Sequence, residues 1–322
     1  MTSIKDPVGL LEDDNAGLPA GESVVAGRRS VLGGLVRTAR PKQWLKNLLV
    51  FAAPGAAGVL GHASAAGHAL AAFAVMCVTA CGVYFVNDAL DVEADRQHPR
   101  TRCRPVAAGV IPVGAALAIG AALAALGLGL SPLVSTKLLV IVAVYLVVQL
   151  AYQLWLKSQP IVDMAAVASG FVLRAIAGAV AVGVPISQWF LIVATFGSLF
   201  MVGGKRLSDL RSDDGEPLAT RHGVAGYSEA FLRSVVVLSA SVAITAYCLW
   251  AFENVKAVTA SDGHAALLFQ LSIVPFTLAV LRYGLLVDQG HGGAPEEVVL
   301  GDRQLVALGL IWAAIFALGV YW

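Results

Sequence analysis

The chain has 322 residues, of which 58% are hydrophobic and only 13% are charged, and its mean hydropathy is +0.77. Since soluble domains carry about 25% charged residues, this composition excludes an ordinary soluble protein and indicates an integral membrane protein made of helices. The formal net charge is +1 and no basic patch is interleaved with aromatic residues, so no nucleic-acid partner is expected.

The first 27 residues are polar and contain no apolar run, which predicts a disordered cytoplasmic tail and argues against a signal peptide. Residues 28–39 predict a short amphipathic helix on the membrane surface. A single membrane domain is expected over residues 28–322. Its nine apolar segments are each long enough to cross a bilayer as one helix. They lie at about residues 44–62, 66–88, 109–130, 136–156, 160–182, 187–206, 229–251, 264–286 and 303–322.

Lysine and arginine residues are distributed unevenly between the two sets of loops that these segments create. With the N-terminus inside, only Lys137 and Lys256 fall outside, and Arg174 lies within a segment. Because cytoplasmic loops are enriched in these residues, we expect the N-terminus in the cytoplasm and the C-terminus outside. The four cysteines show no metal-ligand spacing, and no disulfides are expected.

The most informative polar stretch covers residues 87–95, directly after the second apolar segment. If the helix continues, Asn87, Asp88, Asp91 and Asp95 fall on one face. Mg²⁺ prefers oxygen ligands and shares them with substrate phosphates, so this face is a candidate metal site. The alternative is a solvated, charged helix end. Basic residues follow at Arg96, Arg100, Arg102 and Arg104.

A second acidic stretch, residues 205–214, follows the sixth apolar segment. Lys205, Asp209 and Asp213 are spaced four residues apart and therefore form a stripe on a helix. The predicted topology places this stripe on the same membrane face as residues 87–95. Together the two stretches could grip a metal-bound diphosphate. The alternative for the stripe is simple ion pairing along a helix end.

Polar residues also precede the first apolar segment. Arg40 and Lys42 are explained equally well as anchors on the cytoplasmic side, beside the interfacial Trp44. Lys46 and Asn47 lie deeper and are expected to face a polar cavity.

A fourth polar group occupies the fourth and fifth segments: Tyr152, Lys157, Asp163 and Arg174. A charged side chain at the centre of a bilayer costs at least about 2.5 kcal/mol, so an intramembrane arginine needs a partner or an anionic ligand. Asp163 and Arg174 lie within about 20° on one helix face, which allows a structural ion pair. The alternative is that Arg174 binds a phosphate.

These motifs resemble those of the UbiA superfamily of intramembrane prenyltransferases. The resemblance rests on Asn87-Asp88-x-x-Asp91-x-x-x-Asp95, on Asp209-x-x-x-Asp213, and on the positions of Tyr152, Lys157 and residues 171–174. It implies an all-α integral membrane protein with nine transmembrane helices, a cytoplasmic cap, and two Asp-rich motifs that bind Mg²⁺ and diphosphate.

Three segments, residues 40–47, 98–109 and 196–206, resemble one branch of that superfamily. The resemblance implies a bacterial plasma-membrane enzyme that transfers phosphoribosyl from phosphoribosyl pyrophosphate to polyprenyl (decaprenyl) phosphate, for cell-wall arabinan. It is compatible with a homo-oligomer. The basic residues Lys46, Lys205 and Arg206 suit two phosphorylated substrates better than one neutral aromatic acceptor. The alternatives are a prenyl diphosphate:aromatic acceptor transferase of the quinone or haem O type and, more remotely, a transporter.

On this hypothesis the polar residues take three roles. The expected metal ligands are Asn87, Asp91, Asp95, Asp209 and Asp213. The expected catalytic residues are Asp91, Asp95, Lys46 and Lys205. The expected substrate-binding residues are Lys46, Asn47, Asp88, Arg102, Arg104, Tyr152, Lys157, Arg174, Lys205 and Arg206.

Overall fold

The structure of the chain is a computed structural model that describes residues 31–99, 101–211, 226–258, 263–293 and 295–322. The predicted tail, Arg100 and Asp213 lie outside these residues. Within them the regular elements are all helical, and eight helices are long and apolar enough to cross a membrane. The prediction of a helical, multi-pass membrane protein is therefore confirmed.

The chain begins with α1 (Val31–Ala39), the predicted amphipathic helix, followed by a 3₁₀-helix (Pro41–Phe51) and the short α2 (Ala52–Ala56). A second 3₁₀ turn, Leu156–Ser158, separates α6 from α7. The remaining helices are α3 (Ala63–Leu90), α4 (Val92–Gln97), α5 (Val113–Val134), α6 (Thr136–Leu154), α7 (Val162–Val182), α8 (Gln188–Arg211), α9 (Glu229–Val258), α10 (Gly263–Asp288), α11 (Pro295–Gly301) and α12 (Arg303–Tyr321).

For the first apolar segment the sequence predicts a membrane helix over residues 44–62 with a kink at Pro54, whereas the structure has a 3₁₀-helix followed by a short α-helix. Pro54 has no N–H to donate to the carbonyl of Val50, so the α-helical hydrogen-bond ladder cannot run through this point. The freed carbonyl instead packs against Gly178 of α7, where an added Cβ would lie only 2.6 Å from the carbonyl carbon of Val50. The break thus lets the first segment approach α7 closely.

Three apolar clusters hold the helices together. One joins the 3₁₀-helix to α3, α6 and α7 and contains Val50, Met76 and Tyr145. A second joins α7 and α8 to α9, α10 and α12, and a third joins α1, α3 and α5. α3 and α5 approach most closely at Gly82 and Gly120, where an added Cβ would meet backbone atoms of the other helix within 3.0 Å.

The helix directions bring the charged motifs to one end of the bundle, which we call the polar end. Ion pairs link the C-terminal ends of α3, α8 and α10 to the N-terminal ends of α7, α9 and α12 or to the turn after α6. The polar end therefore contains residues 87–95 and the described part of the second acidic stretch, residues 205–211, as the sequence predicts.

Candidate active site

The first acidic stretch lies where α3 ends. Asp91 has φ −90° and ψ 6°, so the helix does not continue unbroken, and α4 begins at Val92. The backbone N–H of Asp91 still donates to Asn87 O at 2.9 Å, and that of Asp95 donates to Asp91 O at 2.8 Å. These two hydrogen bonds keep Asn87, Asp91 and Asp95 one helical turn apart through the break.

Each aspartate of this stretch has a basic partner. Arg104 donates through Nη1 to both carboxylate oxygens of Asp95, at 2.9 and 2.7 Å. Asp88 accepts from Arg40 and lies 3.6 Å from Arg104. Lys157 Nζ lies 2.8 Å from Asp91 Oδ1. The stretch is thus an organised ion-pair network and not a solvated helix end.

The three aspartates differ in how far a ligand can reach them. The side chains of Asp88 and Asp95 are 2% and 8% exposed, while that of Asp91 is 29% exposed. Asp91 is therefore the carboxylate of this stretch that is most open to a metal ion or substrate. Asn87 is partly buried one helical turn before it, and Arg102 is exposed on the turn between α4 and α5.

Arg40 takes part in the site although the sequence explains it equally well as a membrane anchor. Its backbone is in the left-handed region, with φ 50°, a conformation that costs a non-glycine residue about 1–3 kcal/mol. The guanidinium contacts Asp88 and lies 5.1 Å from the ring centroid of Tyr84. These contacts join Arg40 to the ion-pair network, which the sequence patterns do not reveal.

The two adjacent basic residues of the second acidic stretch, Lys205 and Arg206, have different partners. Lys205 Nζ lies 2.5 Å from Asp209 Oδ2, which is the ion pair that the four-residue spacing allows. Arg206 turns toward α6 and α7, where Nη2 lies 3.1 Å from Asp163 Oδ2 and 3.2 Å from Tyr152 OH. Lys205 and Arg206 therefore act at different places despite being adjacent.

The ion pair between Asp163 and Arg174 that the sequence allows does not form in the structure. The two residues share a face of α7, but eleven residues of helix separate their Cα atoms by about 16 Å. Asp163 pairs instead with Arg206 and accepts from the hydroxyl of Tyr227. Burial and the bond to Asp163 raise the pKa of Tyr227 to about 12, so this hydroxyl keeps its proton at neutral pH.

Arg174 is held by neutral groups from three helical segments. Its guanidinium donates to Asn47 Oδ1 at 2.6 Å, to Gly170 O at 2.7 Å and to Tyr145 OH at 2.9 Å. Asn47 is fully buried and also donates to Cys77 Sγ at 3.1 Å, so both its amide oxygen and its amide nitrogen have partners inside the protein. Tyr145 belongs to none of the sequence motifs, although a tyrosine inside an apolar span needs a partner for its hydroxyl.

A large apolar cavity lies next to Lys46 and Arg174. It has a volume of about 620 Å³ and is lined by the first helical segment and by α7, α8, α9, α10 and α12. Phe171 of α7 forms part of its wall. The same ring lies 6.0 Å from Lys46 Nζ and 5.9 Å from the Cζ atom of Arg174, measured to the ring centroid. Charged and apolar binding surfaces therefore meet at Phe171.

The acidic residues do not form a ready-made metal cage. Within the described ranges, no group of three or more His, Cys, Asp or Glu side chains is placed to share one ion. Mg²⁺ is commonly bound by one or two carboxylates together with substrate phosphates, and such a site needs no cage. The accessible carboxylate of Asp91 and the amide of Asn87 fit that type of site in the chemistry of their oxygens.

Comparison with known proteins gives the family of the chain. Residues 48–307 match the model of the UbiA prenyltransferase family, so the chain belongs to that family. The structure resembles that of a UbiA homolog from Archaeoglobus fulgidus bound to GPP and Mg²⁺, with a TM-score of 0.65 and 18% identity. The match covers 89% of this chain and 98% of the homolog, and it confirms the fold.

Two curated relatives are more similar in sequence, and both are named decaprenyl-phosphate phosphoribosyltransferase. The protein from Corynebacterium glutamicum is 44% identical over 298 residues, which is 91% of this chain and 88% of the relative. The protein from Mycolicibacterium smegmatis is 42% identical over 299 residues, which is 91% of this chain and 94% of the relative. The predicted branch of the family is therefore confirmed.

Proposed function

We propose that this protein transfers a 5-phosphoribosyl group from phosphoribosyl pyrophosphate to polyprenyl phosphate, with decaprenyl phosphate as the expected lipid. The product would serve as a precursor for cell-wall arabinan. The names of the relatives support this reaction. The observation that carries it is that an apolar cavity of about 620 Å³ meets the cations Lys46 and Arg174 at Phe171, while further arginines and lysines lie at the polar end. Such a junction suits a soluble phosphorylated donor and a lipid acceptor.

The donor pyrophosphate is proposed to bind where α3 and α8 end. Asp91, assisted by Asn87, Asp95, Asp209 and Asp213, would hold Mg²⁺ together with the pyrophosphate oxygens. When bound, the ion neutralises the negative charge that develops on the leaving pyrophosphate. A UbiA homolog of similar fold is bound to GPP and Mg²⁺, which supports the use of a divalent ion.

The reaction forms a bond between an oxygen of the lipid phosphate and the anomeric carbon of ribose. The bond from that carbon to pyrophosphate breaks, and pyrophosphate leaves with the electron pair. A phosphate monoester is already ionised at neutral pH, so this nucleophile needs no general base. Basic side chains around the leaving group stabilise its charge electrostatically. The residues proposed for this role are Arg102, Arg104, Lys157, Lys205 and Arg206.

The orientation in the membrane follows from the positive charge at the polar end, which we propose to be cytoplasmic. The first helical segment, Pro41–Phe51 with Ala52–Ala56, spans roughly 30 Å if each 3₁₀ residue rises about 2.0 Å and each α residue 1.5 Å. That length matches the hydrocarbon core of a bilayer. We therefore propose it as a ninth crossing, which places the C-terminus outside and leaves the loops at the polar end as a cap.

The test is incorporation of labelled phosphoribosyl pyrophosphate into lipid by the purified protein with Mg²⁺. Polyprenyl phosphates of several lengths would be supplied as acceptors. The expected result is a labelled lipid and an equal amount of released pyrophosphate. Incorporation of a prenyl diphosphate into an aromatic acceptor, without use of the ribosyl donor, would overturn the proposal in favour of the quinone or haem O type of reaction.

A further inference from the structure

We infer that Lys46 and Arg174 bind the phosphate of the lipid acceptor, and that Phe171 marks the point where this phosphate ends and the polyprenyl chain begins. The identity of the lipid rests on the proposed function. Arg174 is thereby assigned to the phosphate of the lipid and not to a phosphate group of the donor. Phe171 also receives a role, because its ring contacts both cations and the apolar cavity.

Phe171 lies between the apolar cavity and two cations. One residue cannot line an apolar cavity and also lie within about 6 Å of two cations unless it stands at the boundary between the two environments. A polyprenyl phosphate has the same boundary at the bond between its chain and its phosphate. A lipid whose chain fills the cavity would present its phosphate beside Phe171, within reach of Lys46 and Arg174.

Arg174 has a positive charge that its hydrogen-bond partners do not balance. Its side chain is 6% exposed, and its hydrogen bonds in the described structure go to an amide, a hydroxyl and a backbone carbonyl, none of which is charged. An arginine has five N–H donors, so these three bonds leave further donors for a ligand. A buried intramembrane cation with neutral partners is costly to maintain, and an anionic ligand is the group that compensates it.

Five other basic residues of the site differ from Arg174 because each has a charged partner. Arg40, Arg104, Lys157, Lys205 and Arg206 each pair with an aspartate. A metal-bound pyrophosphate would exchange with these ion pairs and so suits that group. Arg174, held by neutral partners beside the cavity, suits the single phosphate of the lipid. The two substrates thus meet from opposite sides of the site.

Asn47 and Tyr145 then act as positioning residues for Arg174. Both side chains are at least 99% buried, and each fixes one nitrogen of the guanidinium. Asn47 is itself held by Cys77, which sets the direction of its amide. On this inference Asn47 acts through Arg174, whereas the sequence predicts that it binds substrate directly.

The experiment measures equilibrium binding of labelled polyprenyl phosphate and of the uncharged polyprenol to the full-length protein in nanodiscs, without donor. Wild-type protein should prefer the phosphate. Lys46→Gln and Arg174→Gln should each weaken phosphate binding about tenfold or more, since each loses a charge-assisted interaction. Both should bind polyprenol as wild type does, which also shows that they are folded. Arg174→Lys should keep most of the preference.

The matched control is Lys157→Gln, a cation paired with Asp91 at the donor side. It should bind both lipids as wild type does. The inference is overturned if Lys46→Gln and Arg174→Gln retain the wild-type preference, or if Lys157→Gln loses as much of it. A protein that shows the expected preference yet transfers no phosphoribosyl group would refute the proposed function while supporting the lipid-phosphate site.

Discussion

Lys157, in the short turn after α6, lies 2.8 Å from Asp91 at the end of α3. This ion pair ties together two segments that are 66 residues apart in the sequence. Both side chains are about 30% exposed, so the pair can open toward a ligand without leaving a charge buried. A substrate that brings both a cation and phosphate oxygens could give each member a new partner. The pair thus occupies the position from which a metal-bound pyrophosphate would be held.

The first prediction concerns Asp91. Asp91→Asn keeps the size of the side chain but removes the charge that is proposed to hold the metal and that pairs with Lys157. We expect kcat to fall by at least about a hundredfold, the range seen when one preorganised electrostatic contact is removed. Phosphoribosyl incorporation at saturating Mg²⁺ measures the effect. The control is Glu93→Gln on α4, whose carboxylate is exposed and pairs only with Arg96 among the described residues. Near-normal activity of Asp91→Asn would contradict the proposed metal role.

A second prediction concerns the contact between Tyr227 and Asp163. Tyr227→Phe removes the hydroxyl that donates to this buried carboxylate and accepts from the backbone N–H of Ile161. An unsatisfied buried polar group costs about 1–3 kcal/mol, so the thermal midpoint in detergent should fall. The neighbouring ring of Phe231 stacks on Tyr227 at 5.8 Å between centroids, and the substituted ring keeps this contact. A midpoint equal to that of wild type would show that water replaces the hydroxyl.

The pKa of Tyr227 gives this contact a defined pH dependence. Because the folded pKa lies near 12 and the ordinary value is 10.0, the folded state holds the proton more tightly than the unfolded state. The stabilisation is complete below pH 10 and is lost as the pH rises through about 12. The difference in thermal midpoint between wild type and Tyr227→Phe should therefore shrink over that range.

Local patterns predicted the helices and the polar end, because both depend on hydrophobic length, charge placement and spacing along one helix. Partners across helices depend on the packing of the whole bundle. Asp163 and Arg174 share a face of α7, yet their partners are Arg206 on α8 and Asn47 on the first segment. The sequence predicted the spacing correctly but could not show which neighbouring helix lies against each turn.

The first apolar segment shows the same limit. Its composition predicts a membrane span, and Pro54 predicts a kink. The structure has a 3₁₀-helix over Pro41–Phe51, and the carbonyl of Val50 lies against α7 at a distance that the lack of a side chain at Gly178 permits. The signal for this packing is split between two residues far apart in the sequence, and neither residue predicts it alone.

The third prediction tests that contact. In Gly178→Ala the new Cβ would lie 2.6 Å from the carbonyl carbon of Val50 and closer still to its oxygen, so the first segment must move away from α7. We expect a clear loss of thermal stability, and reduced activity because Lys46 and Asn47 lie on the displaced segment. Gly114→Ala on α5, where the new Cβ meets no atom within 4 Å, should be neutral or slightly stabilising. Equal stability of the two variants would refute the tight contact.

The last prediction tests whether the apolar cavity holds the lipid chain. Gly197 of α8 lines the cavity, and a Cβ added there meets no atom within 4 Å, so a larger side chain can enter without backbone strain. Gly197→Phe should therefore fill part of the cavity and compete with the chain. The KM for a long polyprenyl phosphate should rise about tenfold, the effect of losing burial of one or two methylene groups, while the KM for phosphoribosyl pyrophosphate should stay unchanged.

The length of the acceptor makes this test specific. A short prenyl phosphate that leaves the deeper part of the cavity empty should lose less affinity than the long one in Gly197→Phe. Gly129→Phe on α5, an exposed position that also has no atom within 4 Å of a new Cβ, is the control for adding a phenyl ring to a helix in the membrane. If Gly197→Phe and Gly129→Phe change the kinetics equally, or if the long and short acceptors respond alike, the chain does not occupy this cavity.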